Sequence, residues 1–213
     1  MLDYLELPCG ESPRTLMVWL HGLGADGYDL EPAAGMLGAR NIRHVFPHAP
    51  VRAVTINHGM PMRAWYDIAA VDLRWQEDSE GMLASARQVR DLVAGLRSDA
   101  DLPVVLAGFS QGAVVSLAAA AQGIACLVGV AAMSGYVPQF LLPALGGLRD
   151  TDLFMAHGEQ DEVIPFALGR TGRDALAESG VRVEWHAYAM THSICQQELR
   201  DMSGWLAAPL APD

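Results

Sequence analysis

Three side chains, far apart in sequence, have the types and the order that nucleophilic catalysis needs. Ser110 stands at the centre of Gly108-Phe109-Ser110-Gln111-Gly112. Asp161 lies in His157-Gly158-Glu159-Gln160-Asp161-Glu162-Val163-Ile164-Pro165, and His192 follows before the last helical segment. A serine hydroxyl is a weak nucleophile: it needs a general base to take its proton and a third group to orient that base. On a parallel α/β sheet such a set runs serine, acid, histidine, each at the C-terminal end of a strand, where the ligand crevice lies. The surroundings of Ser110 suit this role. The apolar run Leu102 to Ala107 has strand length, and Ala113 to Ala121 is strongly helix-forming. Strand, tight turn and helix are what G-x-S-x-G requires, with glycines leaving room beside a serine on a strained turn. The pentapeptide alone recurs by chance, so its context decides.

Two glutamates, Glu159 and Glu162, share the loop with Asp161. Asp161 is favoured because an apolar, proline-terminated turn follows and positions it, but spacing leaves both glutamates open; a solvated acidic loop is their plainer reading. His186 falls inside the alternating run Val181 to Tyr188, where a histidine is usually a strand residue. His192 lies beyond that strand, and the remaining histidines precede the acid and break the order.

Acyl attack also builds an oxyanion, which needs preorganised backbone N–H donors. One is expected from Gln111 and the other from Leu23, in the glycine-rich turn His21-Gly22-Leu23-Gly24-Ala25-Asp26-Gly27 after the strand Thr15 to Leu20. That turn also matches G-x-G-x-x-G. A dinucleotide site, however, requires a carboxylate at the end of the next strand. Ile42 to Phe46 ends instead in Pro47-His48-Ala49-Pro50, and Pro32 falls in the first turn of the following helix.

The elements that must position these groups alternate along the chain. Beyond those named, strands are expected at Leu2 to Leu7 (an edge), Leu127 to Ala132, Leu153 to Ala156 and Val181 to Tyr188. Helices are expected at Leu30 to Arg40, Ser79 to Leu96, Phe166 to Glu178 and Ser193 to Leu206. This alternation predicts one α/β domain over residues 1–213, with a mostly parallel twisted sheet. The segment Pro47 to Glu77 is long and poor in helical signal, as functional loops often are, and is expected to wall the substrate site. No insertion is large enough for a lid domain.

Composition excludes several alternatives. The net charge of −11 disfavours nucleic acid and anionic lipid. All 14 basic residues are arginine, which removes a Walker A loop, a Schiff-base lysine and a Ser–Lys dyad. Neither a signal peptide nor a transmembrane-length run is visible, and Cys9, Cys126 and Cys195 are scattered as reduced thiols are, so a cytoplasmic protein is expected. The histidine spacing suggests no metal.

Taken together, His21-Gly22-Leu23-Gly24-Ala25-Asp26, Arg63-Ala64-Trp65-Tyr66-Asp67-Ile68, Gly108 to Gly112, His157-Gly158 with Asp161 and Pro165, and His192-Ser193 with Cys195-Gln196-Gln197-Glu198 resemble the phospholipase/carboxylesterase family. That family includes bacterial carboxylesterases and acyl-protein thioesterases. The resemblance implies an α/β-hydrolase fold with helices on both faces of the sheet, Ser110, Asp161 and His192 as triad, Leu23 and Gln111 as oxyanion donors, and Trp65 near the site. Ala113 and Ala189 stand where the family mostly has glycine; each adds one methyl. Beside this machinery Leu23, Trp65, Ile68, Val163 and Met190 are candidate substrate contacts or ordinary packing, and Met60 and Met62 could line a pliable acyl groove.

The activity expected is cofactor-free hydrolysis of a small-molecule ester through an acyl-enzyme on Ser110. A thioesterase or lysophospholipase would use the same parts on a longer chain. A ligand-binding protein on this fold is the rival of a different class, and a lyase or perhydrolase is separable by product analysis. The apolar stretch Val137 to Leu145 offers a flap or a contact between two copies in a homodimer.

Overall fold

The continuous apolar runs of the sequence become the middle of a seven-stranded sheet. The computed structural model describes residues 1–8, 13–37, 41–70, 76–97 and 102–207. Cys9, the end of the helix expected up to Arg40 and part of the Pro47 to Glu77 segment lie outside the described residues. In chain order the elements are β1 (Tyr4–Glu6), β2 (Thr15–Leu20), α1 (Glu31–Met36), β3 (Ile42–Pro47), β4 (Val51–Ala53), β5 (Pro61–Arg63) and α2 (Ser79–Leu96). There follow β6 (Val104–Phe109), α3 (Gln111–Ala121), β7 (Leu127–Met133), β8 (Asp152–Gly158), α4 (Phe166–Glu178), β9 (Val183–Tyr188) and α5 (Gln196–Trp205). The main sheet has the order β1-β3-β2-β6-β7-β8-β9. β1 pairs antiparallel with β3, and all other neighbours are parallel.

Side chains alternate between two cores. From β2, Leu16, Val18 and Leu20 face one core with Met82, Val89 and Leu92 of α2 and most of α3. Met17 and Trp19 face the other, with Ala33 and Ala34 of α1 and Leu199, Met202 and Trp205 of α5. A strand covered on both faces has no solvent side to make polar, which is why β2 reads as unbroken apolar sequence. α3 is buried from Gln111 to Ala120, and its near-uniform apolarity is that of a helix with no wet face. α2 keeps one apolar stripe, and Asp78 caps it by accepting the Gly81 N–H at 2.9 Å.

Three segments differ from expectation. Pro47 to Glu77 contains its own antiparallel pair, β4 with β5, around a 3₁₀ turn at Thr55–Asn57. Three-residue strands are too short to show a period. Val137 to Leu145 enters a 3₁₀ helix, Gln139–Leu148, that buries Leu141, Leu145 and Leu148 in the core shared with α3. Those three leucines face inward, while Leu142, Pro143 and Ala144 between them are exposed. β8 runs on through His157 and Gly158, so the acidic loop begins two residues later than the sequence suggests. Among the described residues no helix is long and apolar enough to cross a membrane.

Candidate active site

The C-terminal ends of β2, β6 and β8 and the loop after β9 bring the sequence-predicted groups together. Ser110 leaves β6 with φ 57° and ψ −118°, a conformation that a residue with a Cβ adopts only under constraint. The constraint is visible. The Ser110 N–H donates to the Met133 carbonyl at 3.0 Å, and its own carbonyl accepts from Ala113 and Val114 at 3.1 and 3.3 Å. A Cβ on Gly112 would overlap the Leu20 carbonyl, and one on Gly108 would overlap Gly112 itself. The glycines thus let the start of α3 fold back onto β6 and β2. Ala113 is accommodated from across the turn: its methyl would lie 2.5 Å from any Cβ on Gly135, so the small residue there makes room. Ala189 is exposed and has no positive φ, so its methyl is unstrained.

His192 Nε2 lies 2.9 Å from Ser110 Oγ, and His192 Nδ1 lies 2.7 Å from Asp161 Oδ2. The Asp161 side chain is fully buried, and its other oxygen accepts the N–H groups of Val163 and Ile164 at 2.9 and 2.8 Å. Glu159 and Glu162 point into solvent. His186 sits away from this relay, paired with Glu184 at 2.8 Å. Gly158 is what allows the approach, because a Cβ there would overlap the Met190 and Thr191 carbonyls of the histidine loop.

A second histidine, set aside on sequence because it precedes the acid, supports Asp161. His157 is buried, with Nε2 2.8 Å from the Ile164 carbonyl and 3.4 Å from Asp161 Oδ2. Burial lowers its pKa, opposed by the Ile164 carbonyl and Asp161. A neutral ring with Nε2–H donating to Ile164 fits that setting, and it holds the acidic turn from behind. The signal available in sequence was its position at the strand end, two residues ahead of the first carboxylate of the acidic block.

On the other side stands the Leu23 turn. His21 is fully buried and donates from Nδ1 to the Gly22 carbonyl at 2.7 Å, while Nε2 accepts the Ala49 N–H at 3.0 Å. Burial lowers its pKa, so the neutral tautomer these bonds require is the favoured one. Gly24, at φ 76°, donates its N–H to the Arg63 carbonyl at 2.9 Å. Gln111 is tied in by its side chain: Oε1 accepts the Trp65 N–H at 3.1 Å and Nε2 donates to the Tyr66 carbonyl at 2.9 Å. Among the described residues neither the Leu23 nor the Gln111 backbone N–H has a protein acceptor. A Cβ on Gly22 would come within 3.5 Å of the Ser110 Cβ, so the turn abuts the nucleophile.

Trp65, expected beside the site, presents no exposed surface. It is fully buried, its indole N–H donates to the His21 carbonyl at 2.9 Å, and its ring packs on His21 at 5.3 Å between centroids. An aromatic ring with one polar handle is well suited to brace the turn. The Ser85 hydroxyl in turn donates to the Trp65 carbonyl. Ile68 and Met190 are half-buried, Leu23 likewise, and Val163 is 58% exposed. None of these four lines the apolar groove beside His192, which lies between α1 and the start of α5.

Comparison with known proteins agrees with this architecture. Residues 4–209 match the model of the phospholipase/carboxylesterase family. The chain is 34% identical to acyl-protein thioesterase 1 of Yarrowia lipolytica over 95% of each chain. It is 35% identical to acyl-protein thioesterase 1 of Mycosarcoma maydis over 92% of each. The crystal structure of Zea mays acyl-protein thioesterase 2, 28% identical, superposes with a TM-score of 0.89 over 99% of this chain and all of that one. With an α/β-hydrolase sheet, no large lid among its described residues and a family match along nearly its whole length, this chain belongs to the phospholipase/carboxylesterase family of hydrolases.

Proposed function

We propose that the chain hydrolyses carboxylic esters through an acyl-enzyme on Ser110. The observation that carries this reading is the continuous relay from Ser110 Oγ to His192, 2.9 Å, and from His192 to the buried Asp161, 2.7 Å. His192 takes the hydroxyl proton as Oγ attacks the acyl carbon. Asp161 holds Nδ1–H, so Nε2 is the nitrogen free to accept, and it stabilises the imidazolium that forms. The unpaired N–H groups of Leu23 and Gln111 receive the oxyanion. The departing alcohol leaves with the proton from His192, and water resolves the acyl-enzyme by the same steps in reverse. Acyl thioesters fit the same machinery, and the names of the thioesterase relatives favour them as a second substrate class. The free thiols Cys126 and Cys195 suit a reducing compartment such as the cytoplasm.

The test is a p-nitrophenyl ester series from acetyl to long acyl, with an acyl thioester alongside. Turnover is expected in the wild type and a loss of at least about 10⁴-fold in kcat for Ser110→Ala. Undiminished turnover in that variant overturns the mechanism, and no turnover of any ester or thioester by the wild type favours the ligand-binding alternative.

A further inference from the structure

A groove of about 460 Å³ opens beside His192, between α1 and the start of α5. Its apolar walls are Leu30, Ala33 and Met36 on one side and Ile194 and Leu199 on the other, joined by Phe109. The Phe109 ring lies 4.8 Å from the His192 ring. Met36 is 61% exposed, so the groove is open to solvent. Leu23, Gln111 and Ser110 do not line it; of the proposed machinery it meets His192 alone.

The occupant follows from the geometry of acyl transfer, and the inference rests on the esterase reading above. In the tetrahedral adduct the carbonyl oxygen must face the N–H groups of Leu23 and Gln111. The departing atom must face His192 Nε2, because the imidazolium returns its proton there as the bond between acyl carbon and departing oxygen or sulfur breaks. A groove that meets the machinery at His192 alone adjoins the residue that the departing atom faces. Its walls favour an apolar group withdrawn from water. Asp29 also lines it, and the chain carries a net charge of −11, both unfavourable to an anionic group. We propose that the groove between α1 and α5 is the leaving-group subsite and takes an uncharged apolar alcohol or thiol.

Met36→Glu places a carboxylate on the wall at an exposed position, where folding is not at risk. For butyrate esters, the kcat/KM ratio of cyclohexylmethyl to methyl ester is expected to fall about ten-fold, with the methyl ester changed by less than about two-fold. A series of methyl esters from acetyl to octanoyl should keep its profile. An unchanged alcohol ratio overturns the proposal, and so does a shift of the acyl profile while the alcohol ratio holds, which would assign the groove to the acyl chain. A second arm needs no turnover. Cyclohexylmethanol titrated into Ser110→Ala, followed by methyl NMR of labelled methionines, should move Met36 saturably and leave Met62 and Met190 in place. Saturable movement of Met62 or Met190 without Met36 overturns the subsite. Because this readout does not depend on chemistry, loss of the esterase reading and loss of the subsite give different results.

Discussion

The two flanks of His192 are built from different forces. On one side the functional groups are held by directional bonds: Asp161 by two backbone N–H groups, its turn by His157 at the Ile164 carbonyl, and the Leu23 turn by His21 and Trp65, with the Gln111 side chain holding the Trp65 and Tyr66 backbone. On the other, α1 and α5 meet the groove with apolar side chains that make only non-directional contacts. The first turn of α5 even contains a fully buried carboxyl, Glu198, whose Oε1 has no partner and whose pKa burial pushes up to about 8. Hydrogen bonds fix angles as well as distances, so the first flank can place reacting atoms. Dispersion and burial tolerate many shapes of similar volume, so the second can select a substrate without disturbing the chemistry.

Substitutions on the two flanks should therefore fail in different ways. The largest effect is expected from Asp161→Asn, which keeps the shape but favours the wrong imidazole tautomer. Its kcat should fall by about 10⁴-fold with the fold intact, measured by ester turnover beside circular dichroism. A fall below about ten-fold would separate Asp161 from the relay. Gln111→Ala comes next. Its backbone N–H remains, but the buried Trp65 N–H and Tyr66 carbonyl lose their partners and the oxyanion turn loosens. A loss of about 10²-fold in kcat with KM nearly constant is expected. A change confined to KM would mean that this side chain shapes binding instead.

The smallest effect lies on the apolar flank and is one of stability. The pKa of Glu198 is raised on folding from 4.5 to about 8, so in that window the folded chain holds a proton that the unfolded chain has lost. Its protonated form is stable below the unfolded pKa. Stability then declines as pH rises from about 4.5 to about 8 and levels off above, where both states are ionised. Glu198→Gln removes the ionisation and keeps an oxygen for the Cys195 N–H. The variant should match the wild type near pH 4 and exceed it by roughly 2 kcal/mol at pH 8.5 in urea unfolding, with kcat on p-nitrophenyl acetate little changed. Parallel pH profiles for the two proteins would show that the carboxyl is not held protonated.

Much of this architecture was readable beforehand because it is encoded locally. Ser79–Leu96 and Phe166–Glu178 form the helices that their apolar spacing and end signals predict. The hairpin β4–β5 was not readable, since its short strands carry no period and its role is to hold the Leu23 turn through the Arg63 carbonyl. Trp65 was placed near the site by resemblance, yet a tryptophan's apolar bulk reads the same whether it faces substrate or, as here, braces a backbone turn from inside.

The order of serine, acid and histidine, the strained turn at Ser110 and the strand–helix alternation were determined by the sequence itself, because sterics and side-chain period act over a few residues. Tertiary structure decided which acid meets His192 across 31 residues, with the neighbouring glutamates left in water. It also decided which leucines of the apolar stretch up to Leu148 enter the core, and that the groove beside His192 lies between α1 and α5. Those outcomes depend on which distant surfaces exclude water together, and burial is a property of the folded whole.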